Sequence, residues 1–214
     1  MNRAGNRPRS RGFTLVELLV VMAILATLIG LGVTMLPKMQ LKGKVDAVKQ
    51  YITLLEANLE LYKQSQGAYP PTTLADYAGV GTLSDFRNCG IESVLLCLRA
   101  QAYASPLDVD NLKEVSLTNH DGDQTQSQIA VGGARDLWEI SDPWGTPLVY
   151  FHCADYGRAA AVGVVATPTG DEKAAPRQDP KLKNFYKSRT FQLISAGPDG
   201  AFGTEDDIAN FEFQ

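Results

Sequence analysis

Residues 13–36 form a run of 24 residues that holds a single charge, Glu17. About 20 apolar residues span the hydrocarbon core of a bilayer. A helix that is apolar on every side must be covered by lipid or by protein. A secretory signal has a shorter apolar region, roughly 7–15 residues, and a small-x-small cut site after it. The stretch "MLPKMQLKGK" that follows here offers no such site. Four arginines (Arg3, Arg7, Arg9, Arg11) precede the run, and three lysines (Lys38, Lys42, Lys44) follow it. By the positive-inside rule the N-terminus is expected in the cytoplasm and the remainder across the membrane. Glu17 is the anomaly. A charge at mid-bilayer costs about 2.5–3.5 kcal/mol on insertion scales, so it should pair or face protein. The alternative is a side chain close enough to the interface to snorkel to the headgroups.

The rest of the chain is acidic. The formal net charge of −4 becomes −8 once the four arginines are set aside, with 16 basic residues against 24 acidic ones. That balance excludes a non-specific nucleic-acid binder. The three cysteines, Cys89, Cys97 and Cys153, are too few and too odd for a disulfide framework. Cys89 and Cys97 lie roughly 12 Å apart along a helix, beyond bridging distance. A Cys97–Cys153 bridge and free, half-buried thiols both stay open.

At the end of the apolar run, Gly30, Gly32 and Pro37 predict a kink or a locally extended stretch. The helical pattern then resumes. Val45, Val48, Ile52, Leu55, Leu59 and Tyr62 are spaced 3, 4, 3, 4, 3, which makes one apolar seam. Leu41, Leu54 and Leu61 are expected to widen it. Gly67 caps the helix after Gln66, and Tyr69-Pro70-Pro71 enforces an extended exit.

Residues 72–104 read as mainly helical, and 105–135 as a polar, turn-rich excursion. "DPWG" (142–145) is a turn, with proline at its second position and glycine at its fourth. Strands are expected at 148–152, 189–197 and 208–213, with 166–188 as an exposed, mobile connection. The predicted fold class is α+β: a long N-terminal helix packed on a small antiparallel sheet.

Two acidic turns stand out. "GPDGAFGTEDDI" places Asp199, Glu205, Asp206 and Asp207 among three glycines. A glycine-rich loop can curl carboxylates and carbonyls round a hard cation, but a solvated acidic turn satisfies the spacing equally. The second turn, Asn119-His120-Asp121-Gly122-Asp123, alternates like a ligand loop. It fails as an EF-hand, because Gln124 and Ala130 stand where glycine and glutamate are required. It reads as an exposed turn. No metal-protease motif, nucleophile elbow or phosphate loop occurs, and the two histidines, His120 and His152, suggest no enzyme.

The basic leader ending in Gly12, followed at once by "FTLVELLVVMAIL", resembles the N-terminus of type IV pilins and type II secretion pseudopilins. "ANLELYKQSQGAYPPT", "SDPWGTPLVYF" and "FQLISAGPDGAFGTEDDIANF" resemble the major, G-type pseudopilins. Residues 80–135 are not matched by shorter members and look like an insertion. The resemblance implies a cleaved leader at 1–12, a transmembrane and filament-core helix at 13–36, a periplasmic amphipathic half at 37–67 and a globular domain at 68–214. It implies a cut between Gly12 and Phe13 by prepilin peptidase and N-methylation of Phe13. It also implies that Glu17 engages the amine of a neighbouring subunit during assembly, and that calcium is held by Asp199, Asp206 and Asp207. Lipid is the expected surrounding before assembly. The expected partners are further copies of the chain, other pseudopilins and an inner-membrane assembly platform. The implied function is a structural subunit of an export pseudopilus. The alternatives are a pilin for adhesion, motility or DNA uptake, and a plain membrane-anchored binding domain. The absence of any cysteine after Cys153 favours the secretion subunit, because such pilins usually close this region with a disulfide.

Overall fold

The computed structural model describes residues 12–74, 80, 87–99, 117–130, 133–158 and 163–213, with the side chains of residues 31–36 outside the description. The four leader arginines, and residues 105–116, 131 and 132 of the loop expected at 105–135, lie outside these residues. The chain divides into two compact units, Met1–Gly43 and Lys44–Gln214.

Helix α1 spans Leu15–Gln66 with Pro37 inside it. The expected extended stretch near Gly30 and Pro37 is absent. Proline removes one intrahelical donor at a cost of about 3 kcal/mol, and cooperative propagation on both sides outweighs one such defect. In the first unit, Leu15, Leu18, Met22 and Ile29 all have more than half of their surface exposed, at 77%, 60%, 63% and 65%. Among the described residues no helix is long and apolar enough to cross a membrane. The described apolar side chains stop at Gly30, short of the ~20 residues a span takes.

In the second unit α1 buries one narrow stripe. Val48, Ile52, Leu55 and Leu59 are buried, as their spacing predicts. Leu54 and Leu61 remain exposed, as does Leu41 in the first unit, contrary to expectation. Asn58 takes the flanking buried position, and its Nδ2 donates to the Leu54 carbonyl at 2.8 Å. Gly67 ends the helix in the left-handed region (φ 84°), with its N–H on the Lys63 carbonyl at 2.8 Å.

The central sheet is antiparallel and three-stranded: β3 (Val149–His152), β6 (Phe191–Ser195) and β7 (Ile208–Ala209), in the order β3-β6-β7. The last strand is shorter than the predicted 208–213. Val149 pairs with Ile194 and Tyr150 with Leu193, so the two faces alternate along each strand. Leu148, Tyr150, Phe191, Leu193 and Ile208 pack on α1 and on α2 (Cys89–Arg99). Val149, Phe151 and Ile194 pack on the other side, against Tyr156, Val165 and Ala174. That cover is a hairpin of β4 (Val164–Thr167) and β5 (Gly170–Lys173). It takes up residues 166–173 of the connection expected at 166–188, and residues 174–188 form no regular helix or strand. The charges of β5 that read as loop simply face solvent.

Helix α2 lies directly on β3. A Cβ built at Gly90 would stand 2.2 Å from the Tyr150 carbonyl oxygen, so only glycine permits this approach. Its outer side carries a second small core of Leu74, Val80, Leu96, Ala130 and Leu137. This segment also pairs β1 (Leu117–Thr118) with β2 (Glu139–Ile140). Leu74, Val80, Ala130 and Leu137 therefore cover the outer side of α2, and Cys89 through Leu98 are all buried. None of the three cysteines is in a disulfide.

Candidate functional site

The first site is the start of α1. Thr14 precedes the helix and its carbonyl accepts the first intrahelical bond, from the Leu18 N–H at 3.2 Å. Its Oγ1 accepts from the Glu17 N–H at 3.3 Å, and Glu17 Oε2 accepts in return from the Thr14 N–H at 2.8 Å. The Thr14 hydroxyl donates to the same carboxylate oxygen at 2.8 Å. This is a reciprocal capping box, with threonine at the cap and glutamate three residues on. Glu17 thus has a partner within its own chain, which the sequence reading did not assign. The signal was available as Thr-x-x-Glu. Gly12 and Phe13 precede the cap, outside any helix and exposed, and a Cβ at Gly12 would meet nothing within 4 Å.

The second site is the C-terminal acidic loop. Gly197, Gly200 and Gly203 all have positive φ (69°, 73°, 96°), and the loop curls so tightly that a Cβ on Gly197 would lie 2.2 Å from the Asp206 carbonyl oxygen. Asp206 Oδ2 accepts from the Asp199 N–H at 3.1 Å, while Asp206 Oδ1 accepts from the Thr204 hydroxyl. The Thr204 bond holds the Asp206 carboxyl below the usual carboxylate range. Asp199 Oδ1 accepts from the Ala201 N–H at 2.9 Å.

Asp207 faces elsewhere. Its Oδ2 takes the Gly203 N–H at 3.0 Å and stands 3.5 Å from Arg177 Nη1. Burial pushes this carboxyl up, against the pull of Gly203 and Arg177. Its other oxygen, Oδ1, is buried with no hydrogen-bond partner. The structure therefore brings Asp199 and Asp206 together and turns Asp207 to a cation thirty residues upstream. The all-oxygen donors suit a hard cation, with Asp199, Asp206 and the unpartnered buried oxygen of Asp207 as the side chains that could hold one. Below this loop, the buried Asp142 of the 142–145 turn ties it to the sheet. Its Oδ1 accepts from the Trp144 and Thr146 N–H groups, and its Oδ2 accepts from the Ser195 hydroxyl at 2.7 Å.

The third group was not read as a site. Glu92 on α2 meets Asp121 and Asp123 of the second acidic turn, and one oxygen of each lies within 4.8 Å of the others. Asp121 and Asp123 are half-buried, and Glu92 is fully buried. An acid in the first turn of a helix gains about 0.3–1 kcal/mol from the macrodipole, which is less than the several kcal/mol that burying a carboxylate costs. Glu139, also fully buried, adjoins the group. Its Oε1 accepts from Asn88 Nδ2 at 2.9 Å and from the His120 N–H at 3.2 Å. Burial pushes the Glu139 carboxyl up to about 8; Asn88 pulls the other way, and Asp121 adds to the rise.

The family described as "Prokaryotic N-terminal methylation motif" matches residues 7–33. The type II secretion system core protein G of Escherichia coli (strain K12) is 28% identical over 205 residues, covering 95% of this chain and 92% of that protein. The protein of the same name from Pectobacterium carotovorum subsp. carotovorum is 30% identical over 205 residues, covering 95% and 85%. No solved structure matches.

Proposed function

From the chain's membership of the type II secretion system core protein G family, we infer that it is a structural subunit of a pseudopilus. The observation that carries this reading is the N-terminal helix. It is apolar on all sides, exposed, headed by one acid, and overlaid by the methylation motif at residues 7–33.

The precursor is anchored in the inner membrane by residues 13–36, with its N-terminus in the cytoplasm and the unit from Lys44 onward in the periplasm. Prepilin peptidase cuts between Gly12 and Phe13 and methylates the new amine. The exposed, unhelical backbone there can enter a protease cleft, and glycine presents no side chain to obstruct it. The cut leaves a cation one residue before the cap. A positive charge at a helix N-terminus opposes the macrodipole, and an acid at Glu17 offsets it, either within the chain or from the neighbouring copy. Subunits then stack their apolar helices into a filament on an assembly platform, together with other pseudopilins. The role is mechanical, and no residue in it performs catalysis. The C-terminal loop holds calcium through Asp199, Asp206 and Asp207 with loop carbonyls, a reading supported by the buried, unpartnered Asp207 Oδ1, and so stiffens the strand β7 that follows it.

The test is the intact mass of the chain purified from cells that contain a prepilin peptidase. The reading expects a polypeptide that begins at singly methylated Phe13. A mass that retains residues 1–12, or a cut elsewhere, would overturn it.

A further inference from the structure

We propose that Arg177 is an internal counter-cation of the C-terminal loop, which holds Asp207 in the metal-free chain and weakens calcium binding there. The inference rests on the reading of Asp199, Asp206 and Asp207 as calcium ligands, and it adds a residue that regulates them.

Arg177 is fixed in place from three sides. Its backbone is clamped by the fully buried side chain of Gln192 on β6. Gln192 Oε1 accepts the Arg177 N–H at 2.7 Å, and its Nε2 donates to the Arg177 carbonyl at 3.0 Å. The guanidinium lies over the Phe213 ring, 5.2 Å from its centroid. Gly203 of the loop leaves room for it, since a Cβ there would stand 3.2 Å from Nη1. From this position Nη1 stands 3.5 Å from Asp207 Oδ2, which also accepts the Gly203 N–H at 3.0 Å.

Asp207 thereby divides its two oxygens. Oδ2 faces Arg177 and Gly203, while the buried Oδ1 has no hydrogen-bond partner. The Asp207 side chain is only 1% exposed, and a charge so buried is paired with another or coordinates a metal. Without calcium, Arg177 is the pairing charge. With calcium, one carboxylate serves two cations. The guanidinium repels a divalent ion held on Oδ1 and keeps Asp207 from giving it both oxygens. Fewer ligand oxygens and less net ligand charge move a calcium site toward the weak end of its range. Even screened as in water, a unit charge beside a divalent ion lowers affinity on the order of tenfold. The loop thus keeps its shape without the ion and takes it only where calcium is plentiful.

The experiment titrates calcium chloride into chelator-treated full-length protein in detergent, following heat and melting temperature. R177Q removes the charge and keeps a hydrogen-bond donor, whereas R177K keeps the charge. R177Q should bind calcium about tenfold more tightly than the wild type, melt lower without it and gain more from it. R177K should keep the wild-type affinity. D206N should abolish the binding event, which assigns that event to this loop. The proposal is overturned if R177Q binds no more tightly than the wild type, if R177K tightens binding as R177Q does, or if R177Q stays unfolded in saturating calcium. None of these results touches the reading of the loop as a calcium site. A wild type that binds no calcium, or a D206N that binds it equally well, refutes that reading, and this inference falls with it.

Discussion

Replacing Asn88 by alanine should destabilise the second unit more than any other single polar change. Asn88 is buried and joins three elements. Its Nδ2 donates to Glu139 of β2 at 2.9 Å, and its Oδ1 accepts the Ala166 N–H of β4 at 3.0 Å. Its carbonyl accepts from the Ile91 N–H at the start of α2. Alanine leaves the buried Ala166 N–H without its partner and takes from Glu139 Oε1 one of its two donors, the other being the His120 N–H, each loss costing about 1–3 kcal/mol. It also places a Cβ residue without a local hydrogen-bonding side chain at φ 52°, a conformation asparagine tolerates, for a further ~1 kcal/mol. The sum is about 3–7 kcal/mol, a large part of the roughly 5–15 kcal/mol that holds a domain folded. Urea unfolding of the full chain in chelator, followed by the fluorescence of Trp138 and Trp144 against the core, reads it directly. N88G relieves the backbone and not the hydrogen bonds, so it should recover only about 1 kcal/mol. If N88A stays within about 1 kcal/mol of wild type, or N88G restores it fully, the account of Asn88 as a buried junction is wrong.

Three further outcomes are expected. E17Q keeps an acceptor for the capping box but loses the charge, whereas T14A loses the cap and keeps the charge; filaments recovered by shearing should vanish in E17Q and persist in T14A, and the reverse would make the cap the essential feature. His152 is held neutral in the fold by burial, and its Nδ1 accepts the Ala154 N–H at 3.1 Å. Its folded pKa lies below its unfolded value of about 6.5, so the unfolded chain binds more protons and stability should fall as pH drops through about 6.5. H152N should flatten that slope, and an unchanged slope would assign it to other groups. G197A should cost about 2–5 kcal/mol, from left-handed strain plus the collision with Asp206. G67A, with the same backbone sign but open space around it, should cost only about 1–2 kcal/mol, and equal losses in a thermal melt would deny the close approach.

Local periodicity carried the sequence reading furthest. Val48, Ile52, Leu55 and Leu59 announced the buried stripe, and the strands around Tyr150 and Leu193 stood out by composition. Leu54 and Leu61 misled because periodicity does not report how wide a stripe the sheet can cover. The β4–β5 hairpin was hidden by Pro168, Gly170 and the charges of an exposed strand, which locally look like a loop. The C-terminal acids were visible, but the pairing of Asp207 with Arg177 depends on a contact across thirty residues. Glu92 was the least legible. In "GIESVLLCLRA" it occupies what looks like the polar position of an amphipathic helix, and its burial depends on segments far along the chain that fold over α2.

The central claim is that this chain builds a filament through its N-terminal helix. Its most direct test is electron microscopy of cells expressing the full chain with its secretion machinery, with and without an active prepilin peptidase. The account predicts filaments containing the chain when the peptidase is active, and uncut, membrane-held monomers when it is not. Correctly trimmed chain that stays monomeric in the membrane beside a working assembly apparatus would contradict it.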